Sequence, residues 1–161
     1  MFERASNKMV DGDDKASAAV IKVKRVRDGA KLPMKATAGS TGYDLFACIE
    51  GEEYVNLTKQ PRLVGTGIAI EVPPGFDAQI RPRSGLSLRG VLATFGTIDC
   101  DYRGEVFVTM HLCDPLESYQ INHGDRIAQL VISRLPESNI VEVEDLAATE
   151  RGTGGHGSTG K

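Results

Sequence analysis

The chain has 161 residues, of which 40% are hydrophobic and 25% charged, with a formal net charge of −3. Those values suit one globular domain able to bury a core. They exclude a protein that coats nucleic acid through bulk electrostatics, and no apolar run is long enough to span a bilayer.

In chain order, "MFERASNKMVDGDDKASAA" lacks a signal-peptide core and is too acidic for a transit peptide. It reads as a loose leader over 1–19 of a cytoplasmic protein. Period-two alternation then takes over. Short strand candidates lie near 20–26, 43–49 and 54–57. In "LVGTGIAIEV", Val64, Thr66, Ile68, Ile70 and Val72 share one parity. "FDAQIRPR" sets Phe76, Ala78 and Ile80 inward against Gln79, Arg81 and Arg83. "RSGLSLRG" offers Ser84 as an N-cap, a short turn and Gly90 as a stop, hence a helix of about two turns at most. Alternation returns through Val106, Val108, Met110 and Leu112, while "RIAQLVISRL" is apolar on both parities, as a strand covered on both faces requires. A last short candidate lies at 140–143. No helical spacing persists for three turns, and Pro and Gly punctuate the strands, so the fold expected is an all-β sandwich or distorted barrel.

Cys48, Cys100 and Cys113 are odd in number and have no zinc-ligand spacing, so they are expected to be reduced thiols. His111 and His123 read as ordinary surface or strand residues.

Several short stretches hold chemistry. "AGSTGYDLFA" sets Asp44 in an apolar strand, where a buried acid needs a mate, either an arginine or a metal-bound water. The start of the "RSGLSLRG" turn exposes N–H groups and the Ser84 hydroxyl, an anion site or simply a capped turn. In "GTIDCDYRGEV", Asp99 and Asp101 point the same way if the backbone is extended, with Arg103 available between like charges. That stretch is either a polar hairpin tip or a site in which Tyr102 offers a flat face to a sugar or base. "GDRIAQLVI" buries the Gln129 amide, whose hydrogen bonds go to the fold or to a ligand. The chain closes on "RGTGGHGSTGK", with five glycines among eleven residues. That segment is an inert linker or a nest of N–H groups and hydroxyls ordered by an arriving phosphate.

The stretches "AGSTGYDL", "PRSGLS", "GTIDCDYRGE", "GDRIAQLVI" and "RGTGGHGSTG" occur in this order from Ala38 to Gly160. Together they resemble the five signature motifs of the trimeric deoxyuridine triphosphatase (dUTP pyrophosphatase) family. The resemblance implies a jelly-roll-like β domain of the β-clip type over 20–146, with one very short helix, and a mobile arm over 147–161. It implies a homotrimer with active sites shared between subunits, capped by the arm. The implied reaction is Mg²⁺-dependent hydrolysis of dUTP to dUMP and pyrophosphate, which limits uracil in DNA and supplies dUMP for dTMP synthesis. Neither nucleic acid nor membrane is an implied partner.

Carried onto this chain, the resemblance makes Asp99 the base that holds water against the α-phosphorus and Tyr102 the ring beneath deoxyribose. Thr97 and Ile98 lie in the hairpin whose backbone reads uracil, with Phe107 completing the pocket. Arg83, Ser84 and Gly85 meet phosphates, Gln129 reaches a phosphate oxygen, and Asp44 orients metal-bound waters without touching Mg²⁺ directly. Arg151, Gly157, Ser158 and Thr159 wrap the β- and γ-phosphates. Two positions depart from the family pattern. His156 stands where a phenylalanine is usual, which makes stacking on uracil sensitive to pH. Ala93 stands where many relatives carry an asparagine facing the base, so backbone or water must replace that hydrogen bond. Two rival functions share the fold. A dCTP deaminase generally needs a glutamate proton shuttle where this chain has "TIDCDY", and a non-catalytic nucleotide-sensing trimer has no use for Asp99.

Overall fold

The computed structural model describes residues 19–113 and 116–155. Ten strands and one short helix follow one another as β1 (Lys22–Arg25), β2 (Tyr43–Phe46), β3 (Tyr54–Leu57), β4 (Arg62–Glu71), β5 (Phe76–Arg81), α1 (Ser84–Ser87), β6 (Val91–Ala93), β7 (Gly96–Ile98), β8 (Glu105–Leu112), β9 (Tyr119–Asn122) and β10 (Arg126–Arg134). They form two four-stranded sheets, ordered β1-β4-β8-β6 and β2-β10-β5-β7, and a small β3-β9 ribbon. All the pairings are antiparallel. The fold is all-β and jelly-roll-like.

The inward parities carry the core. Val64, Thr66, Ile68, Ile70 and Val72 of β4 and its exit are buried, as are Val106, Val108, Met110 and Leu112 of β8. From the facing sheet come Leu45, Ala78, Ile80, Ile98, Ile127, Ala128 and Leu130. Each fully buried aliphatic side chain contributes about 1.5–3 kcal/mol relative to exposure, and the one buried hydroxyl among them, on Thr66, donates to the Val106 carbonyl at 2.6 Å.

The β4–β8 ladder slips between Gly65 and Ala69. Gly67 sits there at φ +68°, and a Cβ on it would lie 2.7 Å from both Ala30 Cβ and Cys48 Sγ, so only glycine fits. Its N–H, turned out of the ladder, donates to Glu105 Oε1 at 2.8 Å.

Three local expectations are corrected. The N-cap of α1 is Arg83, in extended conformation, and no side chain caps the helix. Ser84 is the first helical residue, and Ser87 Oγ instead donates back to the Arg83 carbonyl at 3.1 Å. Residues 140–143 form no strand, and Ile140, Val141 and Val143 are exposed. Their alternation alone makes no strand, because a strand also needs a ladder partner. Residues 99–102 make a turn, closed by the Tyr102 N–H on the Asp99 carbonyl at 3.1 Å, so Asp99 and Asp101 do not lie along an extended backbone.

Cys48, Cys100 and Cys113 are all free thiols. Among the described residues no helix is long and apolar enough to cross a membrane.

Candidate active site

Two recesses, each of about 350 Å³, hold most of the chemistry, and they share no lining residue. The first is an apolar cleft between the β7–β8 hairpin and β4. Its walls include Leu63, Thr97, Ile98, Asp99, Tyr102 and Phe107. β7 is an edge strand, paired on one side only, to β5. Its other edge keeps backbone N–H and C=O groups in alternation, a template for a planar ligand edge. Thr97 is exposed, whereas Ile98 turns its side chain into the core, so recognition along this strand falls to the main chain.

Beyond β7 the chain turns tightly. Asp99 is exposed at the lip of the cleft, and its carboxylate makes no side-chain hydrogen bond or ion pair among the described residues. The Arg103 guanidinium takes no acid among the described residues; it donates to the carbonyls of Cys100 at 2.7 Å and Tyr102 at 2.9 Å, pinning the turn. Exposure to water, in place of Arg103, is what lets the two acids coexist. Tyr102 is held from two sides. Its hydroxyl donates to the Glu105 carbonyl at 3.0 Å, and its ring packs across Gly104, where an added Cβ would collide with ring and hydroxyl atoms. Phe107 follows on β8 with its ring half-exposed to the cleft.

The second recess is polar and lined by Arg83, Gly85, Arg89, Tyr119, Asp125 and Arg126, among others. Beside it stands Asp44, 5% exposed, with its mates supplied by arginine. Arg83 Nε lies 3.3 Å from Oδ1 and Arg126 Nη1 3.3 Å from Oδ2. Arg83 also donates through Nη1 to the Arg126 carbonyl at 2.9 Å. The register explains the grouping. Gln129 on β10 faces Asp44 on β2 and Arg81 on β5, so these three side chains share one sheet face. The Gln129 amide makes no side-chain hydrogen bond among the described residues, and neither the Ser84 nor the Gly85 N–H at the start of α1 has an acceptor there. This side therefore presents guanidinium, amide and N–H donors together.

Not every candidate joins these groups. Ala93 ends β6, is 7% exposed within the core and lines neither recess. Arg151 stays in its own loop, donating from Nε to the Gly154 carbonyl at 2.8 Å. His156, Gly157, Ser158 and Thr159 lie outside the described residues. Arg126 sits in "GDRIAQLVI", but one arginine at the start of a strand carries no periodic signal, and only the fold pairs it with Asp44. Arg27 lies outside every motif, while Glu105 closes "GTIDCDYRGE" without any sequence sign of the partner it takes. No cluster of three or more His, Cys, Asp or Glu side chains that could hold a metal occurs among the described residues.

A sequence model of the dUTPase family matches residues 28–160. The deoxyuridine 5'-triphosphate nucleotidohydrolase of Caldanaerobacter subterraneus subsp. tengcongensis is 44% identical over 147 residues, covering 88% of this chain and 97% of the relative. That of Methylocella silvestris is 46% identical over 148 residues, covering 87% and 91%. Among solved structures, the dUTPase of Staphylococcus bacteriophage 80alpha, a mutant with dUpNHpp, superposes with a TM-score of 0.78 at 26% identity, covering 88% of this chain and 99% of that one. A mutant dUTPase from phage phi11 of S. aureus, described for the coordination of a structural Mg(II) ion, gives 0.68 at 25% identity, covering 78% and 97%. The chain belongs to the dUTPase family.

Proposed function

We propose that the two recesses are complementary halves of one dUTP-hydrolysing site, completed when copies of the chain associate as a homotrimer. The reaction is hydrolysis of dUTP to dUMP and pyrophosphate, with Mg²⁺. The observation that carries the reading is the separation itself. The exposed Asp99 and the aromatic cleft lie in one recess, while Arg83, Gly85 and Arg126 line another that shares none of those residues. A base-and-sugar cleft without cations cannot hold a triphosphate, and the arginine recess, whose carboxylate Asp125 is engaged through Oδ2 by the Asn122 N–H at 2.8 Å, has no apolar cleft to seat a base and sugar. Joining the halves across a subunit boundary supplies both.

Uracil lies along the free edge of β7, where the backbone at Thr97 and Ile98 offers donors and acceptors, with Phe107 as a wall. Thymine is refused by its methyl and cytosine by its reversed edge, because mispaired buried hydrogen bonds are costly. The Tyr102 ring beneath deoxyribose leaves no room for a 2′-hydroxyl. Asp99 accepts a proton from the attacking water, whose oxygen bonds to the α-phosphorus as the bond from that phosphorus to the bridging oxygen breaks. Pyrophosphate departs, and the proton passes from Asp99 to solvent.

Arg83, Arg126, Gln129 and the N–H groups of Ser84 and Gly85 stabilise the charge that accumulates on the phosphates. Arg151 and the segment Gly157, Ser158 and Thr159 complete the grip on the β- and γ-phosphates, with His156 over the base. The sparse, oxygen-only donor set fits Mg²⁺, which retains several waters and is held chiefly by substrate. Asp44 is the carboxylate placed to accept from such waters, and the ion's contribution when bound is charge neutralisation on the leaving pyrophosphate. A cytoplasmic location fits an enzyme that acts on free nucleotides.

A pyrophosphate-release assay across dUTP, UTP, dTTP and dCTP, with light scattering for subunit number, tests the reading. Release from dUTP alone by a trimer is expected. Ammonia from dCTP, or full activity in a monomer, overturns it.

A further inference from the structure

We propose that Arg27 and Glu105 form a positioning pair that sets both aromatic walls of the cleft, an inference that rests on the base-and-sugar reading of that cleft. Arg27 follows β1 in a turn and precedes the family match at residues 28–160 by one position. Its Nη2 lies 2.6 Å from Glu105 Oε2, with the two side chains 28% and 13% exposed. The second oxygen of Glu105 is taken by the Gly67 N–H at 2.8 Å, so the carboxylate is fixed at both ends. From that anchored position the Arg27 guanidinium carbon lies over the Phe107 ring, 5.6 Å from its centroid. Gly65 faces Phe107 in the ladder, and its missing side chain leaves the space: a Cβ there would stand 3.0 Å from Arg27 Nη1 and 2.7 Å from Glu105 Oε1.

Glu105 also reaches the other wall, since its backbone carbonyl accepts the Tyr102 hydroxyl at 3.0 Å. One residue thus bonds Tyr102 through its main chain and Arg27 through its side chain, and Arg27 in turn backs Phe107. Arg27 does not itself line the cleft; with Phe107 it borders a separate recess. It therefore acts through the ring, as a positioning residue, by a cation–π contact whose partly buried setting strengthens it. The rival is a plain clip that ties the β1 turn to β8. A clip governs stability and the fraction of folded enzyme. A positioning pair governs KM and couples to Phe107.

The test uses the full chain and steady-state kinetics. Arg27→Met is expected to raise KM for dUTP about three- to tenfold with kcat within about twofold. In a Phe107→Ala background the same change is expected to add less than about twofold, the non-additivity of groups that act through one contact. Arg27→Lys keeps the charge but loses the flat guanidinium and is expected to raise KM about two- to threefold. If Arg27→Met does not fold, the cycle is run with Arg27→Lys under the same additivity criterion. An unchanged KM in a folded variant, or full additivity with Phe107→Ala, overturns the inference. Tyr102→Ala and Phe107→Ala run alongside as controls. If both leave KM and sugar preference intact, the cleft reading has failed; if they shift them and the Arg27 variants do not, this inference alone has failed.

Discussion

Replacing Gly104 by alanine perturbs one object, the Tyr102 ring. Gly104 does not occupy the positive-φ region, so alanine adopts its backbone conformation without strain. The three atoms nearest an added Cβ all belong to the Tyr102 side chain, its ζ carbon at 2.5 Å among them, and the ring must swing away. Swinging breaks the hydroxyl bond to the Glu105 carbonyl, about 1 kcal/mol net, and removes the flat face beneath the sugar, about 1 kcal/mol more. Together these amount to about 2 kcal/mol, or about a thirtyfold fall in kcat/KM for dUTP. UTP should lose much less, because the displaced ring no longer obstructs a 2′-hydroxyl, so the preference for the deoxy sugar narrows. Tyr102→Phe isolates the first contribution and should cost about fivefold. The assay is kcat/KM for dUTP and UTP, with a melting curve for each variant. A folded Gly104→Ala enzyme with the wild-type dUTP-to-UTP preference would refute the assignment of Tyr102 to the sugar.

Asp99→Asn should bind a non-hydrolysable dUTP analogue within a few-fold of wild type by calorimetry while turnover falls at least about a hundredfold, the usual worth of a positioned base; near-normal turnover removes Asp99 from that role. Arg126→Ala should raise KM about tenfold or more through loss of a charge-assisted phosphate contact, and an unchanged KM assigns Arg126 to holding Asp44 alone. Deleting the chain from Arg151 onward should leave a folded trimer whose kcat/KM is down about a hundredfold or more, as loss of two or more charge-assisted phosphate contacts requires; normal hydrolysis by the truncated protein makes the segment inert. Burial, followed by the nearby Glu50 charge, pushes the Cys48 thiol above its ordinary value of 9.0. A raised thiol stabilises the fold fully below that value and less as pH rises through the higher folded one. Denaturant midpoints should therefore fall more steeply above about pH 9 in wild type than in Cys48→Ala, and parallel curves would count against it.

What was legible in the sequence was whatever a period of two can encode. Val106, Val108, Met110 and Leu112 alternate without interruption and form the buried face of β8. Short strands divide: β1, β2 and β3, four residues each, fall within expected candidates, whereas β6, β7 and β9, three or four residues long, are defined only by their neighbouring ladders. Residues 140–143 show the converse, a pattern with no partner strand among the described residues. The site divides in the same way. Asp44 announced itself as an acid in an apolar run, and the need for a mate was met by arginine. Which arginines met it was not legible, since Arg83 and Arg126 lie 39 and 82 positions away from it and only the β2–β10–β5 register brings them together. Asp77 was silent altogether. It shares the outward parity of Gln79 and Arg81 yet is 5% exposed, with one oxygen bonded to Gln79 Nε2 at 3.1 Å and the other without a partner among the described residues.

On the proposed reading, the arginine pair also accounts for how an acidic chain binds a polyanion. With a net charge of −3, long-range attraction of dUTP is weak, so affinity must come from a few cations held close together. Two guanidinium groups on one carboxylate would repel each other without it. Asp44 offsets that repulsion before substrate arrives, and because it is nearly buried it cannot turn away into water. Arg126 is half-exposed and Arg83 a quarter exposed, so both keep donors for an incoming phosphate while remaining tied to Asp44. A phosphate placed there then adds to the pairing without having to break it, and the cost of assembling the cations is met during folding.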